Sequence, residues 1–159
     1  MRQLKNYIFV FVILIVILLP STTKADQGCS CLGFVPDDAS LSRKVEFERK
    51  HSKAVFTGEV LEIVKRQSPP FEGYLEVKFK IKESWKKVKG KTVSILTEAP
   101  NIATEPPFYK DCGYEFKVGE SYLVYVERQS GTNLLVGICS RTRKLSEATD
   151  DLKVLGKGK

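Results

Sequence analysis

Four cysteines carry most of the chemistry that this sequence offers. Cys29 and Cys31 are separated by one residue, whereas Cys112 and Cys139 each stand alone in the second half of the chain. Four thiolates could bind zinc, but neither this C-x-C pair nor two isolated cysteines has the ligand spacing of common zinc sites. Residues 1–25, in which Arg2 and Lys5 precede an apolar run, indicate export, and an even number of cysteines in an exported chain indicates disulfides instead. We therefore predict two disulfides and no metal site of the protein's own.

The single histidine limits the catalytic chemistry further. His51 lies in the charged run Glu48-Arg49-Lys50-His51-Ser52-Lys53. One histidine supplies neither a His-rich zinc site nor a convincing Ser-His-Asp triad. The paired acids, Asp37 with Asp38 and Asp150 with Asp151, fall where helix capping and solvation explain them. We therefore predict that the protein is not an enzyme and uses no cofactor.

Residues 1–25 have the pattern of a secretory signal peptide. Arg2 and Lys5 precede an apolar run at 7–19, and Pro20 ends it. Thr23-Lys24-Ala25 follows, with small residues at its first and third places, as before a cleavage site. This run is short against the roughly 20 residues that a permanent membrane helix needs, although an uncleaved anchor is the alternative. We predict a secreted, extracellular protein with no stable membrane span after cleavage. The remaining residues, 26–159, would form a single domain.

The spacing of the cysteines restricts how they pair. A direct bridge between Cys29 and Cys31 would close a ring too small for normal disulfide geometry. Each of them must then reach Cys112 or Cys139, and the residues alone leave both arrangements open. A disulfide that closes a loop of about 100 residues stabilises a domain by roughly 4 to 5 kcal/mol in the chain-entropy model. The front of the domain should thus be fastened to its second half.

Hydrophobic periodicity predicts a mainly β fold. The clearest strand is 75–82, where Leu75, Val77, Phe79 and Ile81 alternate with charged residues. In 120–127 the apolar residues occupy both faces, as expected inside a closed sheet. The other predicted strands are 54–65, 92–97 and 133–139, the last a hairpin partner of 120–127; helices capped by Asp37 or Asp38 and by Ser146 flank them. A five-stranded Greek-key barrel of the OB type, with flanking helices and two disulfides, fits this order better than a sandwich.

One long segment without regular periodicity interrupts the strands. Residues 99–111 contain Pro100, Pro106 and Pro107. A loop of this length is unusual in a compact domain and is often functional. We treat it as a possible secondary contact with a partner.

Five motifs, in this order along the chain, resemble a known family. They are Cys29-Ser30-Cys31, Ala54-Val55-Phe56-Thr57-Gly58-Glu59-Val60, Cys112-Gly113-Tyr114, Tyr122-Leu123-Val124-Tyr125 and Gly137-Ile138-Cys139-Ser140-Arg141-Thr142. Together they are similar to the netrin-like (NTR) domain of the tissue inhibitors of metalloproteinases (TIMP). The resemblance covers roughly Cys29 to Leu155. It implies an OB-like barrel and the order-preserving pairing of Cys29 with Cys112 and of Cys31 with Cys139.

The resemblance also implies an inhibitory edge. In the family, the first cysteine is the N-terminal residue, and its free amine and carbonyl oxygen chelate the catalytic zinc of a target metalloproteinase. That residue would be Cys29 here. Ser30 would point into the specificity pocket, and Cys31 and Leu32 would continue the edge in the cleft. The implied partner is a zinc metalloproteinase.

The site of leader cleavage separates two functions. Cleavage after Ala25 leaves Asp26, Gln27 and Gly28 ahead of Cys29, so that its nitrogen becomes an amide and loses the lone pair that zinc needs. Cleavage after Gly28 would expose the amine, although the charged Asp26 disfavours it. The alternative to an inhibitor is therefore a non-inhibitory netrin-like binding module for extracellular matrix, cell-wall or polyanionic partners.

Lysines suggest where a polyanion could bind. Lys78, Lys80 and Lys82 form a stripe on one face of the predicted strand, and more lysines follow at 86, 87, 89 and 91. Clustered positive charge attracts polyanions, although such lysines are more often the solvated face of a strand. Trp85 alone provides no stacking platform, so we predict that nucleic acid is not a partner.

Overall fold

A computed structural model describes residues 29, 31, 35–36, 38–99 and 112–159. The predicted leader, Ser30, Leu32, Asp37 and all but the first residue of the loop at 99–111 lie outside this range. Two α-helices, α1 (Leu41–His51) and α2 (Thr149–Leu155), and one 3-10 turn (Leu145–Glu147) flank the sheet. Its strands are β1 (Ala54–Lys65), β2 (Tyr74–Lys86), β3 (Thr92–Glu98), β4 (Ser121–Val126), β5 (Arg128–Ser130), β6 (Asn133–Leu135) and β7 (Arg143–Lys144). Within these residues, no helix combines the length and apolarity needed to cross a membrane.

The strands form one curled sheet in the order β5-β6-β3-β2-β1-β4-β7. Neighbours pair antiparallel except β3 and β6, which are parallel at Leu96 and Leu135. β1 and β2 are long, and their pairing register shifts between Val55 and Phe56, Thr57 and Gly58, and Val60 and Glu62. The expected mainly β fold with flanking helices and two disulfides is confirmed. The sheet is a curled half-barrel of seven strands, two more than predicted.

The hairpin prediction for the last strands was only partly right. β4 pairs with β1 and not with the strand at 133–139. That strand is shorter than predicted, because it is limited to β6, which forms a hairpin with β5 and then joins β3. The short β5 and β6 therefore extend the sheet beyond β3, which accounts for part of the difference in strand number.

The interior follows the alternation seen in the sequence. Val77 and Phe79 of β2 are fully buried, whereas Lys78 and Lys80 are exposed. Phe79 packs edge-on against Phe56, Phe116 and Tyr122 in the concave side of the sheet. Apolar burial of this kind stabilises a fold by about 25 cal/mol for each Å² removed from water.

β4 is buried on both faces because it separates two hydrophobic clusters. Tyr122, Val124 and Val126 belong to the cluster inside the curl. Leu123 and Tyr125 belong to a second cluster, which α2 and its preceding turn cover with Ala148, Leu152 and Leu155. The double-sided pattern predicted for 120–127 thus reflects one face against the sheet interior and one against a helix.

Both predicted helix caps were wrong by a few residues. Ser40, not Asp37 or Asp38, caps α1, and its hydroxyl accepts a hydrogen bond from the Arg43 N–H at 3.4 Å. Ser146 lies within the 3-10 turn, and Ala148, whose side chain cannot cap, precedes α2. Capping preferences are local, whereas Ala148 is fully buried in the cluster with Leu123 and Tyr125, a contact that the local pattern does not contain.

A buried ion pair fastens α2 to the segment that follows Cys139. The Asp151 carboxylate accepts two hydrogen bonds from the Arg141 guanidinium, at 2.7 and 3.0 Å, and a third from the Tyr125 hydroxyl at 3.3 Å. Its side chain is 2% exposed. The sequence predicted that capping and solvation explain both Asp150 and Asp151. This explanation holds for Asp150, which is exposed and paired with Lys153, but not for the buried Asp151.

We expect Asp151→Ala to lower the free energy of unfolding by about 3 kcal/mol, because it leaves the partly buried Arg141 guanidinium without its partner. Denaturant unfolding of the oxidised protein measures this loss. Asp150→Ala is the matched control: it removes the neighbouring acid from the solvated face of the same helix and should cause no measurable change. Equal effects of the two substitutions would contradict the structural role of the Arg141 pair.

Candidate inhibitory edge

The two disulfides lie side by side. Cys29 is bonded to Cys112 and Cys31 to Cys139, with Cα separations of 5.2 and 5.3 Å. The sulfur atoms of Cys29, Cys31 and Cys139 lie within 4.8 Å of one another. No cysteine is free, so these sulfurs are not thiolate ligands for a metal ion. This pairing is the one that the family resemblance implies.

The segments that carry the two distal cysteines are in direct backbone contact. The Ile138 N–H donates a hydrogen bond to the Cys112 carbonyl at 2.9 Å, and Gly113 and Gly137 form an antiparallel bridge. A side chain at Gly137 would come within 2.7 Å of the Cys112 carbonyl oxygen, and one at Gly113 would overlap the Glu98 carbonyl. Close approach therefore requires glycine at both positions. We call the two disulfides and this glycine bridge the disulfide platform.

Two buried threonines fix the disulfide platform to the sheet. Thr97 of β3 accepts a hydrogen bond from the Tyr114 N–H at 2.7 Å and donates one to the Tyr114 carbonyl at 3.3 Å. Thr142 makes the same pair of contacts with the Tyr125 N–H and carbonyl of β4, at 3.0 and 3.3 Å. The Thr142 hydroxyl thus takes the place of a backbone partner of β4, and the Thr97 hydroxyl of β3 binds the backbone that follows Cys112. The chain just after each distal cysteine is held to a different strand of the sheet.

The two cysteines of the predicted inhibitory edge, Cys29 and Cys31, differ in exposure. Cys31 and Cys139 are exposed, and Cys29 is half-buried. The Cys31 disulfide is therefore accessible to a partner, whereas the Cys29 disulfide is partly covered. Ser30 and Leu32 lie outside the described residues, so their roles in the edge stay predictions.

A partly buried carboxylate lies beside the disulfide platform. Glu127 follows β4 and accepts a hydrogen bond from the Gly137 N–H, while its Oε1 has no partner among the described residues. Burial raises the pKa of the Glu127 carboxyl; the positive charge of Arg128 opposes this, and the negative charges of Glu48 and Glu98 add to it. No local pattern predicts this site, because Glu48, Glu98 and Glu127 come together only through the fold.

The predicted polyanion stripe is interleaved with acids. Lys78, Lys80 and Lys82 are exposed on β2, as expected. On the neighbouring β1, Glu62 stands opposite Lys78 and Glu59 opposite Lys80, and Lys82 pairs with Glu59 at 3.7 Å. This alternation of charge reduces the attraction of the stripe for a polyanion. Binding of a polyanion to Lys78, Lys80 and Lys82 stays a prediction, and the neighbouring acids keep positive charge from being concentrated there.

Sequence reasoning did not identify the glycine bridge. Gly113 directly follows Cys112, and Gly137 precedes Cys139 by two residues. A residue without a side chain beside each distal cysteine was the available signal, since glycine permits close backbone approach.

The chain matches no protein-family model and no curated protein.

Removal of the Cys31 disulfide by the double substitution Cys31→Ser with Cys139→Ser should lower the free energy of unfolding by about 4 kcal/mol in the chain-entropy model. The matched variant, Cys29→Ser with Cys112→Ser, should lose nearly as much, because the loops span 108 and 83 residues and the cost depends only on the logarithm of loop length. Urea unfolding under non-reducing conditions measures both. Unchanged stability in either variant would mean that the corresponding bridge does not constrain the unfolded chain.

Glu127→Gln should stabilise the protein at pH 7, because it removes a buried charge and retains an acceptor for the Gly137 N–H. With its folded pKa raised, Glu127 binds its proton more tightly in the folded state, so stability falls as pH rises from about 4.5 through the folded pKa. The advantage of the variant should therefore shrink as pH falls towards 4. Urea midpoints between pH 4 and 7 measure it, with the exposed Glu115→Gln as control. A variant less stable than the parent at pH 7 would contradict this account.

Proposed function

We propose that the protein is a secreted inhibitor of zinc metalloproteinases that inserts Cys29-Ser30-Cys31, continued by Leu32, into the active-site cleft of its target. The observation that supports this most is the attachment of both cysteines of the leading segment to one disulfide platform. The resemblance to the netrin-like domain of the TIMP family supplies the mechanism. On the same resemblance, we propose that the curled sheet is an OB-like barrel.

Rigidity is the physical reason why such a segment would inhibit. A free peptide loses conformational entropy when it is ordered in a cleft, at a cost of about 1 to 2 kcal/mol for each backbone residue. The disulfides order Cys29 and Cys31 before binding, so less of the interaction free energy is lost. Because Thr97 and Thr142 hold the platform to two strands, the segment would move with the whole sheet.

The proposed chemistry is chelation by the first residue of the mature protein. The Cys29 α-amine would donate its lone pair to the target's zinc, and the Cys29 carbonyl oxygen would supply a second ligand. An ordinary α-amine has a pKa of about 8. Coordination favours the neutral form and releases the proton, so binding would weaken at low pH. Ser30, with its small side chain, would enter the specificity pocket.

A second candidate follows from the residues that precede Cys29. If the leader is removed after Ala25, Asp26-Gln27-Gly28 remain and the Cys29 nitrogen is an amide. The edge would then have no chelating group, and the protein would act as a non-inhibitory netrin-like module. Its partner would be an extracellular matrix, cell-wall or other surface protein.

The two candidates differ in one measurable result. A mature form that begins at Cys29 should inhibit a zinc endopeptidase, and one alanine added before Cys29 should raise the inhibition constant about 100-fold, which corresponds to about 2.7 kcal/mol. A serine endopeptidase is the control and should be unaffected by either form. Equal inhibition by both forms would place the inhibitory contact on another surface. No inhibition by either form would favour the binding module.

A further inference from the structure

A cleft without acidic side chains opens between the end of β2 and the C-terminal tail. Its volume is about 530 Å³. Five lysines and the protein's one tryptophan contribute to its walls: Trp85, Lys86, Lys87, Lys89, Lys157 and Lys159. None of these residues belongs to the disulfide platform or to the predicted stripe of Lys78, Lys80 and Lys82.

Specific hydrogen bonds bring the tail lysines to this cleft. The Trp85 indole N–H donates to the Gly156 carbonyl at 2.9 Å. Ser84 and Lys159 exchange two backbone hydrogen bonds, at 3.0 and 2.9 Å. A Cβ at Gly158 would lie 3.0 to 3.2 Å from Glu83, Ser84 and Trp85, so the tail packs tightly there. The fold thus places Lys157 and Lys159 beside the lysines that follow β2.

A second basic cleft adjoins the first. Its volume is about 580 Å³, and Trp85 and Lys86 line both clefts. Arg43, Arg49 and Lys50 of α1 contribute to its walls; the lining acid, Glu46, is paired with Arg49 at 2.7 Å. We call the basic residues of the two clefts, together with Trp85, the basic belt.

The fold brings positive charges of the basic belt close enough to repel one another. Lys86 donates to the Arg49 and Lys50 carbonyls at 3.1 and 2.7 Å. Burial lowers the pKa of the Lys86 ammonium, and the positive charges of Lys87, Lys53 and Arg49 lower it further. Lys87 has a φ of 57°, a left-handed conformation that favours glycine. A bound anion would relieve the repulsion between Lys86 and these neighbouring positive charges.

The shape of the belt indicates a long anion. Its charges come from α1, the end of β2 and the tail, so one small anion could contact only part of it. A membrane surface fits less well, because the exposed large apolar residues Leu41, Leu61, Val64, Val118 and Ile138 line neither cleft. Two disulfides are typical of extracellular proteins, which meet sulfated polysaccharides. We infer that the basic belt binds a sulfated polysaccharide chain along the two clefts that meet at Trp85.

Trp85 provides a direct readout, since it is the only tryptophan in the chain. We expect a heparin-derived octasaccharide to change the tryptophan fluorescence of the full mature protein and to bind with an affinity that falls steeply as salt rises. The substitutions Lys87→Gln, Lys89→Gln and Lys157→Gln together should raise the dissociation constant at least 10-fold at 150 mM salt. They should also lower the magnitude of the slope of log affinity against log salt by about 2. Binding through fewer lysines releases fewer counterions from the polymer.

The matched control is Lys78→Gln, Lys80→Gln and Lys82→Gln together. It removes the same three charges from the predicted stripe and should raise the dissociation constant less than 3-fold. Both variants change exposed side chains, and an unaltered midpoint of thermal unfolding verifies that they fold.

Four outcomes would overturn the inference. Equal weakening by the two triple variants would show attraction by net charge alone, and absence of a fluorescence change at saturation would place the ligand elsewhere. Inorganic sulfate binding as tightly as the octasaccharide would exclude an extended site. Vesicles of phosphatidylcholine with phosphatidylserine binding more tightly, with the same losses in the first variant, would make an anionic membrane the partner.

Discussion

Cys29 and Cys31 are one residue apart, yet their disulfides reach Cys112 and Cys139 on two separate segments. That arrangement depends on the close approach of those segments at the Gly113–Gly137 bridge. A side chain at Gly137 would meet the Cys112 carbonyl, and a side chain at Gly113 would meet the Glu98 carbonyl of β3. The covalent links and the glycine bridge therefore depend on each other. A larger residue at either glycine would displace a segment that carries a distal cysteine, and with it the attachment of the leading segment.

The structure separates two surfaces by their chemistry. The disulfide platform presents an exposed disulfide beside partly buried carboxyl groups, whereas the basic belt presents lysines and arginines around one tryptophan. The whole chain has a formal charge of +7, which by itself says little about where a partner would bind. The fold concentrates part of this positive charge on one surface, because it places the basic residues of α1, the end of β2 and the tail side by side. The two surfaces use different residues, so the proposed protease and the proposed polysaccharide would bind independently of each other.

Local patterns predicted the parts of the fold that depend on one strand or one helix. The alternation of Val77 and Phe79 with lysines identified β2, and the apolar residues on both sides of Tyr122 identified β4. Contacts between distant elements were beyond those patterns. The role of Asp151 depends on where Arg141 lies in space, and the choice between two disulfide pairings came from the family resemblance. Similarly, no local signal places Lys157 beside Lys87, because the tail is positioned by hydrogen bonds to Ser84 and Trp85.

β4 belongs to both hydrophobic clusters, since its odd and even residues face opposite sides of the sheet. A partial opening of one cluster would therefore disturb the strand that the other needs, so the two should melt as one cooperative unit. Thr142 ties the chain after Cys139 to Tyr125 in that strand. The chain after Cys139 should thus separate from β4 only in the cooperative unfolding of the whole domain.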